Sequence, residues 1–158
     1  MPLDGFRAVK SPMPDGLTLK KIESPSYETY RDLHNRVGAP YGWDKRARIN
    51  DAAAMAALVG SPGAEIWQFF NSATSIGYSL FTRAPDKTAE LEDFGFFPEY
   101  CGHGYGEFFL PKILERMAAL GIKKVWLTSR STNHPKVVPF YQKMGFRVIH
   151  QAPVPEGT

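Results

Sequence analysis

The stretch Phe94-Gly95-Phe96-Phe97-Pro98-Glu99-Tyr100-Cys101-Gly102-His103-Gly104-Tyr105-Gly106 constrains the fold more than any other. A strand pattern runs into a glycine-rich turn. The turn opens directly into the apolar-periodic run Phe108, Phe109, Leu110, Ile113, Leu114 and Met117, the spacing of one helix face. A strand followed at once by a helix puts the turn at the helix N-terminus, where main-chain N–H groups are unpaired and the dipole is positive. Gly102, Gly104 and Gly106 carry no Cβ, so an oxyanion can approach the backbone and the turn can adopt positive φ. Such a volume suits an anion, above all a pyrophosphate.

Two familiar phosphate motifs are excluded. A P-loop needs Gly-Lys-Ser/Thr at the helix start, and Gly106-Glu107-Phe108 supplies none of it. A dinucleotide fingerprint needs a glycine three positions after Gly104, where Glu107 stands. About thirty-five residues on comes a second signature, Pro139-Phe140-Tyr141-Gln142-Lys143-Met144-Gly145-Phe146. It reads as a short helix carrying a tyrosine, closed by a glycine C-cap and followed by a strand.

These two segments resemble motifs A and B of the GNAT superfamily of N-acyltransferases. The first matches Arg/Gln-x-x-Gly-x-Gly/Ala, with Cys101 where Arg or Gln is usual, and the second matches aromatic-Tyr-x-x-x-Gly-Phe. The resemblance implies acetyl-coenzyme A as cosubstrate and no metal. It implies a mixed α/β (α+β) fold with a central sheet of six to seven strands, flanking helices and a splay between strands four and five. It carries the pyrophosphate cradle onto Gly102, His103, Gly104, Tyr105, Gly106 and Glu107. Backbone groups at Phe96 and Phe97 would bind the pantetheine arm, and one N–H would polarise the thioester carbonyl. Tyr141 falls where the family protonates the departing thiolate, and a phenol with an ordinary pKa near 10 holds a proton for that purpose. Seven residues before Tyr141 the family commonly has an asparagine touching the cofactor. His134 occupies that slot and Asn133 is displaced by one, so either of them contacts the cofactor or caps the helix.

Glu90 and Glu92 are two apart on the preceding strand and so project from one face, together with Phe94. A carboxylate there can take the proton of an acceptor amine directly or through a water, and Glu90 sits at the offset where some family members keep a base. Tyr30, Tyr41 and Trp43 fall in the region that forms the acceptor wall in that fold, where aromatics suit a cationic amine. Cys101 reads as a small half-buried residue rather than a nucleophile.

Outside these motifs the pattern is that of one domain over 17–151, with a flexible lead-in over 1–16 and a tail over 152–158. Strands are expected at Leu17–Ile22, Ala64–Phe70, Ser75–Arg83, Thr88–Phe96, Lys123–Ser129 and Phe146–His150. Helices are expected from Pro25 or Ser26 to Val37, from an Asn50 or Asp51 cap to Val59, from Gly104 to Leu120 and from Lys136 to Met144. The net charge of +3 comes without a basic block, which argues against a nucleic-acid partner. No apolar run is long enough to span a bilayer, and one cysteine agrees with a cytoplasmic setting. The four histidines lack metal-ligand spacing. The activity the resemblance implies is acetyl transfer to a primary amine of a small molecule; the alternatives are a non-catalytic coenzyme-A-binding module and an acyltransferase using a longer acyl donor or a peptide or protein amine, and the resemblance allows a homodimer.

Overall fold

The computed structural model describes residues 1–3, 13–129 and 133–149. Most of the expected lead-in, the tail and the last residue of the expected final strand therefore lie outside the described residues. Five strands form one sheet in the order β1-β2-β3-β4-β5. They are β1 (Leu17–Lys21), β2 (Ala64–Asn71), β3 (Thr74–Arg83), β4 (Thr88–Phe96) and β5 (Lys124–Trp126). The first four pair antiparallel, and β5 joins β4 in parallel. A parallel neighbour requires a crossover, supplied by helix α3 (Gly106–Ala119).

Helix boundaries follow local chemistry. Helix α1 (Tyr27–Gly38) starts at Ser26, whose hydroxyl accepts the Thr29 N–H at 3.1 Å. Helix α2 (Ala52–Val59) starts at Asp51, whose carboxylate accepts the Ala54 N–H at 3.1 Å. Each side chain satisfies a donor that the first helical turn leaves free. Helix α3 is followed by Gly121 at φ +83°, and helix α4 (Val137–Lys143) by Gly145 at φ +107°. These are left-handed positions that favour glycine.

The sheet separates two apolar clusters. Helix α3 presses Phe109, Leu110, Ile113, Leu114 and Met117 onto one face, against Phe69, Phe81, Ala89 and Leu91. Helices α1 and α2 cover the other, where Tyr30, Leu33, Val37, Met55 and Val59 meet Ile66, Tyr78, Leu80 and Phe97.

Two expectations are corrected here. Residues 146–149 form no strand, and among the described residues the sheet has five strands rather than six or seven. The far edge of β5 is instead occupied by Met1–Leu3. Leu3 N–H donates to the Lys123 carbonyl at 2.7 Å and Val125 N–H to the Met1 carbonyl at 2.8 Å. An edge already paired there leaves no ladder for Phe146 to join. The second correction concerns phase. The register of β4 slips where Leu80 faces Asp93 and Phe81 faces Leu91, leaving Glu92 as an extra residue. Beyond such a bulge the alternation inverts. Ala89, Leu91, Phe94 and Phe96 therefore share the α3 face, and Phe94 does not project with Glu90 and Glu92. Asp93 does.

Candidate active site

Parallel pairing of β4 and β5 spans only Thr88–Glu90 against Lys124–Trp126. Past that point the strands part, and a cleft of about 830 Å³ opens between Leu91–Phe96 on one side and Leu127–Ser129 on the other. It extends from the glycine-rich turn to the aromatic residues of α1 and the loop after it. Phe97 N–H donates to the Ile76 carbonyl of β3 at 2.9 Å. Alternation along an antiparallel ladder then turns the N–H and C=O groups of Phe94 and Phe96 away from β3 and into the cleft. Phe96 lines that cleft. Phe97 is a correction: it is 1% exposed, lies outside the cleft lining, and has already used its donor.

At one end of the cleft the turn carries Gly102 at φ +79° and Gly104 at φ +77°. A Cβ at either would meet nothing within 4 Å, so backbone conformation rather than crowding calls for glycine. Gly106 is different. A Cβ there would lie 2.9 Å from Phe140 Cζ, so this glycine lets α4 pack against the start of α3. The N–H groups of Gly102, His103, Gly104, Tyr105 and Gly106 have no hydrogen-bond partner among the described residues. Glu107 N–H is already taken by the Gly104 carbonyl at 3.3 Å, and its carboxylate pairs with Lys143. The turn is therefore a row of five open donors at a helix N-terminus, with Glu107 closing it. The alternating φ signs form a concave nest of amides suited to anionic oxygens.

Tyr141 reaches the cleft from α4, positioned by edge contact with Phe146 at 5.6 Å and by its neighbour Phe140, whose ring lies 6.2 Å from that of Phe94. Its hydroxyl has no hydrogen-bond partner among the described residues. Burial, and secondarily the charge of Asp93, hold the phenol well above the usual tyrosine range. The group stays protonated and can only give a proton away. Cys101 Sγ lies 3.6 Å from the carbonyls of Phe96 and Phe97. Burial, then Glu99, push its thiol up, so it is no nucleophile near neutral pH.

Three carboxyl groups line the opposite wall. Glu90 is half-buried and its carboxyl is pushed up to about 8, first by burial and then by the neighbouring Glu92 carboxylate. Glu92 is bound by Arg48 at 2.9 Å and by the Thr82 hydroxyl at 3.2 Å. The two expected carboxylates are brought together, but only Glu90 is left without a cation of its own. Asp93 was missed by the pattern. Its Oδ2 accepts the Tyr30 hydroxyl at 2.6 Å and the Tyr78 hydroxyl at 2.9 Å. Strict alternation assigns Asp93 to the other face, so only the bulge could have pointed to it.

The other end of the cleft is aromatic. Tyr30 is buried with its hydroxyl on Asp93, Tyr41 lines the cleft, and Trp43 lies tilted against His34 at 5.1 Å. Gly38 permits that position of Trp43, since a Cβ would fall 2.1 Å from its ring. Trp43 Nε1 donates to Asn133 Oδ1 at 3.0 Å, so Asn133 is engaged with the aromatic wall. His134 Nδ1 accepts the Lys136 N–H at 3.1 Å, which makes it a cap for the turn before α4. Both still line the cleft.

Residues 20–146 match the family model described as the acetyltransferase (GNAT) family. The chain belongs to the GNAT family. An uncharacterized N-acetyltransferase of Mycobacterium bovis is 32% identical over 73 residues, covering 46% of each chain. The [ribosomal protein bS18]-alanine N-acetyltransferase of Haemophilus influenzae is 28% identical over 74 residues, covering 47% of this chain and 49% of that one. The chain thus spans about half the length of the curated relatives it matches. Among solved structures, an aminoglycoside acetyltransferase from an uncultured soil metagenomic sample superposes with a TM-score of 0.68 at 11% identity. That match covers 92% of this chain and all (100%) of the other. The ribosomal-protein-S18-alanine N-acetyltransferase of Escherichia coli gives a TM-score of 0.66 at 16% identity, covering 85% and 79%. At these identities the superpositions establish the GNAT fold.

Proposed function

We propose that this GNAT protein transfers an acetyl group from acetyl-coenzyme A to a primary amine of a small molecule by direct attack within a ternary complex. The observation that carries this reading is the row of open amides at Gly102–Gly106. It stands at the mouth of a cleft whose other end holds a carboxyl that titrates at about 8. The donor set fits the proposed cosubstrate: five N–H groups for a pyrophosphate, and the main chain of Phe94 and Phe96 for an extended amide-bearing arm. Acetyl-coenzyme A would supply an activated acyl group on a thiol leaving group. The remaining roles fall to side chains. Glu90 accepts the amine proton, directly or through a water, and its pKa near the working pH is what a general base requires. Main-chain N–H groups of β4 stabilise negative charge developing on the acyl oxygen. Tyr141 donates its phenolic proton to the departing sulfur. Tyr30, Tyr41 and Trp43 wall the acceptor end.

Similarity to a bS18-alanine N-acetyltransferase favours a second reading, in which the acceptor is the α-amine of a peptide. Free-thiol release with acetyl-coenzyme A and a panel of small amines and N-terminal peptides tests both. Saturable release with a small amine supports the first reading. Release with peptides alone supports the second. Tight coenzyme binding with no release on any amine overturns both in favour of a non-catalytic coenzyme-binding module.

A further inference from the structure

Glu92 is the residue that the bulge leaves without an opposite number on β3, and its carboxylate is held at both ends. Arg48 Nη2 donates to Oε2 and Thr82 Oγ1 donates to Oε1. The Glu92 side chain is only 7% exposed, whereas Arg48 is 54% exposed and reaches it from solvent. With both oxygens engaged and a guanidinium in contact, the Glu92 side chain is fixed in place. Glu90 shares its face and is the register partner of the same Thr82. Burial, and then the neighbouring Glu92, favour the protonated form of Glu90.

We propose that Arg48 and Thr82 act as positioning residues: they hold the Glu92 carboxylate beside Glu90, and the opposed influences of Glu92 and Arg48 set the pH at which Glu90 can accept the proton of the acceptor amine. This rests on the acyl-transfer reading above for its catalytic meaning, but not for its electrostatics. The groups around Glu90 act in both directions. On β4, Glu92 and then Asp93 favour the protonated form, and Arg48, from the loop before α2, opposes them. Thr82 on β3 and Trp126 on β5, its register partners, are neutral. On α1, Tyr30 keeps its proton through burial first and then the charge of Asp93, to which its hydroxyl donates. Arg46 lines the same cleft with its guanidinium over Trp43.

The test is a direct titration of the glutamate carboxyl carbons by NMR on the whole protein, with the Glu90 signal assigned from Glu90→Gln. The pH profile of thiol release is run in parallel. Glu92→Gln is expected to lower the Glu90 midpoint by about two pH units, since coupled carboxyls separate by more than about one. Arg48→Gln is expected to raise it by about half a unit, and the rate profile should move in the same direction in each variant. A Glu90 midpoint unchanged in both variants overturns the inference, whatever the turnover. Should Glu92→Gln not fold, Arg48→Gln decides alone, because its side chain is largely in solvent. Midpoints that move as stated without turnover on any amine leave the electrostatic inference intact and remove acyl transfer instead.

Discussion

Replacing Glu90 by glutamine is expected to stabilise the fold at alkaline pH while removing activity. The carboxyl titrates at about 8 in the folded chain against 4.5 for an ordinary glutamate. The unfolded chain therefore releases this proton first, and between those two values it binds fewer protons than the fold. Stability consequently falls as pH rises through that window and levels off above about 8. At about 1.4 kcal/mol for each pH unit the ceiling is about 5 kcal/mol. Glu90 is only half-buried, and solvent screening reduces this to about 1–2 kcal/mol. Glutamine keeps the shape and has no proton to lose, so the variant escapes the penalty. Thermal melts at pH ~5 and ~8.5 should show the variant gaining roughly 3–6 °C over the parent at the higher pH only, given about 2–4 °C per kcal/mol for a chain of this size. Thiol release should fall on the order of 10²–10⁴-fold, as for loss of a general base. Parallel pH–stability curves for parent and variant would refute the perturbed carboxyl. Undiminished turnover would refute its role.

Tyr141→Phe is expected to lower kcat on the order of 100-fold with little change in acceptor KM, because a proton donor to the leaving sulfur acts after binding; steady-state kinetics checks this, and an unchanged kcat sinks it. Gly104→Ala places a side chain at φ +77° in open space, so strain of about 1–2 kcal/mol is its main effect. Calorimetry with coenzyme A should show affinity reduced roughly tenfold without loss of the fold, and equal affinity would show that the turn does not grip the diphosphate. Asp93→Ala strips two buried phenols of their shared acceptor. Urea melts should record a loss of about 3–5 kcal/mol, and a loss under about 1 kcal/mol would mean that the phenols find other partners.

Much of the frame could be read from residue pattern because local rules and the tertiary fold agree. Ser26, Asp51, Gly121 and Gly145 begin or end helices as their chemistry dictates, and β4 runs over Thr88–Phe96 as the alternation from Thr88 predicts. The turn after it was legible because Gly102 and Gly104 have no reason to alternate in a plain connection. What escaped depends on contacts distant in sequence. Nothing local announces that Met1–Leu3 takes the edge of β5, or that Trp43 and Asn133 meet from 90 residues apart. Phe97 was misjudged because its motif position says nothing about which neighbour claims its N–H. Gly106 was read as an approach point for phosphate, yet its immediate packing partner is Phe140.

The doubled step at Glu92 has a consequence for the kinds of change this strand can absorb. It works as a phase shifter, letting one strand commit Glu90, Glu92 and Asp93 to one wall and Leu91, Phe94 and Phe96 to the other. Excising that single residue would restore regular pleating and turn everything downstream over at once. Asp93 would enter the greasy layer beneath α3, and the Phe94 ring would swing toward Tyr30. A one-codon deletion here is thus a harsher lesion than any point substitution along the same strand.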